Sequence, residues 1–151
     1  MNTPSLAKKS ELKLSNGRWD FPEQMGLPYY GFVYIVRDNI LNRFYLGKKS
    51  YTQRKRGRTV ISDWKQYNTS SELLKAMWLE RPFEEFSFIC LEQYKTKGTF
   101  NYAETWSLCH VDAPMSNMWY NTRIEEISWK LKEPVSQRHK ERLAAVIAGL
   151  L

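Results

Sequence analysis

The stretch GFVYIVRDNILNRFYLGKK, residues 31 to 49, decides how this chain folds. Its first half is rich in β-branched and aromatic residues, RDNILNR reads as a turn, and FYLG resumes strand character. The pattern predicts an antiparallel hairpin. Facing residues in such a hairpin have numbers of constant sum, so an odd sum sets Tyr34 and Tyr45 on one face, opposite at 79 and diagonal at 81. Gly47 removes a side chain beside the second tyrosine, and Lys48 and Lys49 add positive charge. These residues suit a phosphate platform, and equally an ordinary buried hairpin.

Working outward, FEEFSFICLEQY is a third strand, with Phe86, Phe88 and Cys90 on one face and Ser87, Ile89 and Leu91 on the other. Both faces carry apolar residues, so a covered strand is expected. Thr69 and Glu72 have capping-box spacing, and Leu73, Leu74, Met77 and Trp78 follow, predicting a helix over 69–79 with Pro82 beyond its end. A second helix is predicted in TFNYAETWSLCHVDAP, with Tyr102, Trp106 and Cys109 near helical spacing and Pro114 as the stop. The C-terminal SQRHKERLAAVIAGLL sets Leu143, Val146, Ile147 and Leu150 opposite Arg138, Lys140 and Arg142, an amphipathic helix packed on the body. The expected fold is α+β, a small three-stranded antiparallel sheet flanked by helices. An N-terminal arm, 1–27, is pinned by Trp19 and Phe21; a central domain spans 28–125 and a helical extension 126–151.

A chain of 151 residues is expected to form one domain. Twenty-three Lys and Arg against sixteen Asp and Glu give a net charge of +7, which favours an anionic partner, nucleic acid first. The segment KKSYTQRKRGRTVISDWKQY concentrates that charge: Lys48, Lys49, Arg54, Lys55, Arg56, Arg58 and Lys65 face the single acid Asp63, with aromatics between them. A mean hydropathy of −0.58, and no run near the roughly 20 apolar residues that span a bilayer, argue against membrane insertion. The N-terminal MNTPSLAKKS lacks the apolar core of a signal peptide, so a cytoplasmic protein is expected. Cys90 and Cys109 read as buried thiols, and His110 and His139 have no ligand-spaced companions.

Gly31-Phe32-Val33-Tyr34 and Tyr45-Leu46-Gly47 resemble the two halves of the GIY-YIG nuclease signature at a typical separation. The resemblance runs over 29–125. A basic segment, a helix, a third strand, a helix bearing Glu104 in NYAETW, and Asn121 in WYN follow in the family's order. YLGKKS, SDWKQY followed by SSELL, and YNTRI resemble small stand-alone bacteriophage endonucleases, homing-type enzymes among them. The location implied is then the host-cell cytoplasm.

The resemblance implies a metal-dependent endonuclease acting on double-stranded DNA. Glu104 would be the sole metal carboxylate, holding one Mg²⁺ or Mn²⁺ through oxygen. Tyr34 would stand at the water nucleophile, Tyr45 would hydrogen-bond near the phosphate, and Asn121 would steady the site through backbone bonds. A phenol titrates near pKa 10, so Tyr34 as a base needs help from metal and cations, or a lowered pKa. An arginine after the hairpin would clamp the phosphate; the family spacing falls on Lys55, leaving Arg54 or Arg56, with Arg56 preferred, Arg58 a further candidate and Lys49 in support. Family members carry a histidine before the first helix, where this chain has Tyr67 and Thr69; whether Tyr67 replaces it stays open. Without the resemblance, Asn101 and Glu104 read as a capping box. The competing readings are a non-catalytic DNA-binding protein on the same scaffold and a basic protein docked on an acidic partner. A lone active site cuts one strand per visit, so double-strand breaks would call for a homodimer, sequential nicks or reorientation.

Overall fold

A computed structural model describes residues 16–67, 69–124 and 133–151. The elements run β1 (Gly31–Asp38), β2 (Arg43–Ser50), β3 (Thr52–Lys55), β4 (Arg58–Ile61), α1 (Glu72–Met77), β5 (Phe86–Tyr94), α2 (Lys97–His110) and α3 (Gln137–Ile147). The fold is α+β, with a three-stranded antiparallel sheet in the order β2-β1-β5. β1 pairs with β2 in the register Tyr34↔Gly47 and Val36↔Tyr45, the diagonal of the two arrangements that bring the tyrosines to one face.

The central strand is buried on both sides, and each side has its own core. Val33, Ile35, Phe44, Leu46, Ile89 and Leu91 meet Phe100, Ala103 and Leu108 of α2 and Leu143 and Val146 of α3. Phe32, Tyr34, Val36, Phe86 and Cys90 meet Trp19, Phe21, Met25, Trp64 and Leu74. The stretch around Trp19 does more than lie against the body. Asp20 exchanges backbone hydrogen bonds with Phe88 and Cys90, covering the outer edge of β5, and the Trp19 indole donates to the Trp64 carbonyl at 2.6 Å.

The β1–β5 register shifts between Val33 and Tyr34, so Glu92 rather than Leu91 faces Val33. This bulge turns Glu92 and Tyr94 onto the face that α2 and α3 cover. There the Tyr94 hydroxyl accepts from the Ser136 amide at 3.1 Å, which leaves its own proton to donate to His139 Nδ1 at 2.9 Å. Ser107 Oγ donates to the Ala103 carbonyl at 2.7 Å, so His139 Nε2 carries the proton that Ser107 accepts at 2.7 Å. The neutral ring is satisfied at both nitrogens, and burial, with a lesser contribution from Lys140, holds its pKa down to about 3. A folded value below the unfolded one, about 6.5, means that this stabilisation is fully present above about pH 6.5 and is lost as pH falls toward 3. Between pH 6.5 and 5 the unfolding free energy from denaturant titration should fall with a slope approaching roughly 1.4 kcal/mol per pH unit, and His139→Gln should flatten it.

Several expectations are corrected. The capping residue of α1 is Ser71, whose Oγ accepts from the Leu74 amide at 3.3 Å, while Thr69 Oγ1 accepts from the Ser71 amide at 2.9 Å; the helix starts at Glu72 and ends at Met77. α2 is capped by Thr96, which places Asn101 inside the helix and removes the capping-box reading of Glu104. α2 buries Thr99, Phe100, Ala103, Ser107 and Leu108 rather than the Tyr102, Trp106 and Cys109 stripe, and Cys109 is exposed. On α3 the buried stripe is His139, Leu143 and Val146; Ile147 and Leu150 are exposed. The basic segment contains an unforeseen second hairpin, β3–β4, turned by Arg56 and Gly57 with φ of 52° and 76°. Among the described residues no helix is long and apolar enough to cross a membrane.

Candidate active site

β2 is an edge strand, and a parallel run of chain shields only part of that edge. Phe44 donates to the Met118 carbonyl at 2.8 Å and accepts from Tyr120 at 2.7 Å. Asn121 then finishes the run with its side chain: Oδ1 accepts from the Leu46 amide at 2.9 Å and Nδ2 donates to the Leu46 carbonyl at 2.8 Å. Just past this clamp lies a cleft of about 660 Å³, lined by Tyr45, Lys48, Tyr67, Glu104, Asn121 and Arg123 together with residues of the Ser70–Leu73 stretch.

Strand alternation explains how these groups converge. Tyr45 and Gly47 project to one face of the sheet, while Phe44, Leu46 and Lys48 project to the face covered by α2. Glu104 comes from α2, so the carboxylate and the phenol reach the cleft from opposite faces and meet around the exposed end of β2. Lys48 Nζ lies 3.5 Å from Glu104 Oε1 and donates to Asn101 Oδ1 at 2.7 Å. Tyr45 shares a 3.1 Å hydrogen bond with Ser70. Its pKa is raised by burial, a rise that the Ser70 bond opposes and the negative charge of Glu104 reinforces.

Tyr34 lies beneath this surface. It is fully buried, its ring 4.8 Å from Trp19, 6.4 Å from Tyr45 and 6.0 Å edge-on to Tyr67. Among the described residues its hydroxyl completes no hydrogen bond of good geometry, although the Thr69 and Tyr67 hydroxyls stand close enough to bear on its proton. Gly47 makes its position feasible, because a Cβ there would stand 2.5 Å from the Tyr34 Cζ and strike its hydroxyl. Gly31 serves the other face, where a Cβ would meet the Phe100 ring and the Lys49 carbonyl at 2.6 Å each. Burial, followed by the neighbouring Tyr67 and Tyr45, pushes the Tyr34 pKa well above 10, the opposite of the lowering that a phenolate base would need.

The remaining cations of the sequence's candidate set are not part of the cleft lining. Lys49 pairs with Asp63 at 2.9 Å and sits 4.1 Å from the Tyr67 ring centre. Arg54 and Lys55 are on β3 and Arg58 on β4, with Arg56 at the turn between them; all four are exposed, and Lys55, Arg56 and Arg58 line a separate depression with Val60. Lys65 is exposed beside Trp64. The sequence reading assigned no site role to Ser70 or Arg123 and placed Lys48 only among general DNA contacts. Tyr67 carried the one usable signal, its position just ahead of the first helix.

Glu104 places a carboxylate, a hard oxygen donor, at the wall of an open cleft, where it faces an ammonium. Among the described residues no three His, Cys, Asp or Glu side chains form a closed cage. One carboxylate with room for water suits Mg²⁺ or Mn²⁺, which keep several water ligands. A family model described as "Putative endonuclease segE, GIY-YIG domain" matches residues 17–124. No curated protein and no solved structure matches the chain.

Proposed function

The chain belongs to the GIY-YIG nuclease family, and on that premise we propose that it hydrolyses phosphodiester bonds of double-stranded DNA at the β2-edge cleft, aided by one divalent metal. The observation that carries the reading is the meeting of Tyr45, Glu104 and Asn121 around one cleft, directly above the buried Tyr34 hydroxyl.

Hydrolysis adds water to phosphorus and breaks one P–O ester bond. Glu104 would hold the Mg²⁺ or Mn²⁺, which when bound supplies Lewis-acid stabilisation of the leaving oxygen. Tyr34, kept a neutral phenol by burial, offers a hydrogen bond to the attacking water once the flanking Tyr45 and Tyr67 rings part to admit it. Tyr45 donates toward a phosphate oxygen after exchanging its Ser70 bond. Asn121 keeps the wall fixed to Leu46. On the β3–β4 ribbon, Arg54, Lys55, Arg56 and Arg58, with Lys48, Lys49 and Lys65, grip the DNA backbone, and Arg54 or Arg56 clamps a backbone phosphate flanking the one that is cut. Arg56 occupies a left-handed conformation that asparagine would adopt more cheaply, which supports its being kept for its charge.

Supercoiled plasmid should be relaxed or linearised in Mg²⁺ and left intact in EDTA. If about five cations contact phosphates, log K for duplex binding should fall against log salt with a slope of roughly −4 to −5. Salt-dependent binding without cutting would favour the non-catalytic reading, and absence of DNA binding would favour docking on an acidic protein.

A further inference from the structure

We infer that Arg123 is the guanidinium that grips the scissile phosphate from inside the cleft, a deepening that rests on the nuclease reading above. Transfer of a phosphoryl group needs a cation aimed at the phosphate oxygens, and a planar guanidinium serves two of them at once. Among the described residues, two cationic side chains line the cleft, Lys48 and Arg123. Lys48 is engaged by Glu104 at 3.5 Å and by Asn101 at 2.7 Å. Among the described residues no carboxylate pairs with Arg123, and the residue is exposed. Its placement is set by the chain: Asn121, two residues earlier, is fixed to β2 through both polar groups of its amide, so Arg123 is delivered to the wall that also holds Glu104 and Tyr45. The ribbon arginines, by contrast, lie outside this cleft's lining.

The test measures wild type, Arg123→Ala and Arg123→Lys, first for duplex DNA binding in EDTA over a range of salt, then for single-turnover plasmid cleavage in Mg²⁺. Arg123→Ala should reduce the magnitude of the salt slope by about 1 and cut the cleavage rate by roughly 10²–10³-fold. Arg123→Lys should restore the slope while recovering little of the rate, because an ammonium cannot reproduce the two-pronged contact. A salt slope and a rate both unchanged in Arg123→Ala would overturn the inference. If the wild type fails to cut, the nuclease reading falls, and the salt slope still decides whether Arg123 touches phosphate. Unchanged thermal melting of both variants, expected for an exposed side chain, separates a lost contact from a lost fold.

Discussion

Tyr34→Phe is expected to cut the cleavage rate by roughly 10²–10⁴-fold while leaving the protein at least as stable as wild type. The two halves of this result arise from one feature. The phenol is fully buried, and its hydroxyl completes no hydrogen bond of good geometry among the described residues. A buried polar atom without a partner typically costs about 1–3 kcal/mol, so removing it should hold or raise the urea midpoint. A hydroxyl that served packing alone would give the reverse outcome, full activity with reduced stability. The ring must stay, because Trp19, Tyr45 and Tyr67 all pack near it; phenylalanine keeps those contacts and alanine would confuse the two effects. Burial pushes the Tyr34 pKa upward, so no limb of the rate profile near neutral pH should belong to its ionisation. Cleavage unchanged in Tyr34→Phe would remove this residue from the chemistry.

The hairpin was legible because strand alternation has period two; that rule puts Tyr34 and Tyr45 on one face only for an odd sum, and the parity, which the sequence left open, is settled by the observed register of 81. The assignment of Phe86 and Cys90 to one core and Ile89 and Leu91 to the other followed from the same rule. It fails at the bulge, where nothing in CLEQY signals that Glu92 and Tyr94 change sides. On α2 the large aromatic residues suggested the wrong face. The helix approaches the sheet through Thr99, Ala103 and Ser107, and Ser107 is admitted to the interior because His139 and the Ala103 carbonyl satisfy it. The same partnership hid His139 from the apolar stripe of α3. The second hairpin was missed because Arg-Gly is an uncommon way to fill two left-handed turn positions, and its cations masked the strand pattern. At the cleft, Tyr45, Glu104 and Asn121 were each singled out from the sequence. Their convergence was not legible there, since it depends on β2 being an edge strand around which two faces can meet.

Glu104→Gln should abolish cleavage, by about 10³-fold or more, while keeping or tightening DNA binding in EDTA. The first expectation follows from loss of the one carboxylate assigned to the metal, since Lewis-acid stabilisation is worth several kcal/mol and each 1.4 kcal/mol is tenfold in rate. The second follows from Lys48. With Glu104 neutral, one negative charge 3.5 Å from the Lys48 ammonium is gone and the cleft presents a more positive field to phosphate. The Tyr45 pKa should fall as well, because the charge of Glu104 is one of the causes that raise it. A purely structural Glu104 predicts a different set: lower stability from the broken ion pair, with cutting in Mg²⁺ preserved. Glu104→Asp separates the two further. A carboxylate shortened by one carbon keeps its charge beside Lys48 but shifts the ligand, so half-maximal cleavage should need more Mg²⁺ at nearly unchanged DNA affinity. If the aspartate variant needs no more Mg²⁺ than wild type and the glutamine variant still cuts, the metal sits on other oxygens of the cleft and Glu104 has a structural role, its pairing with Lys48 included.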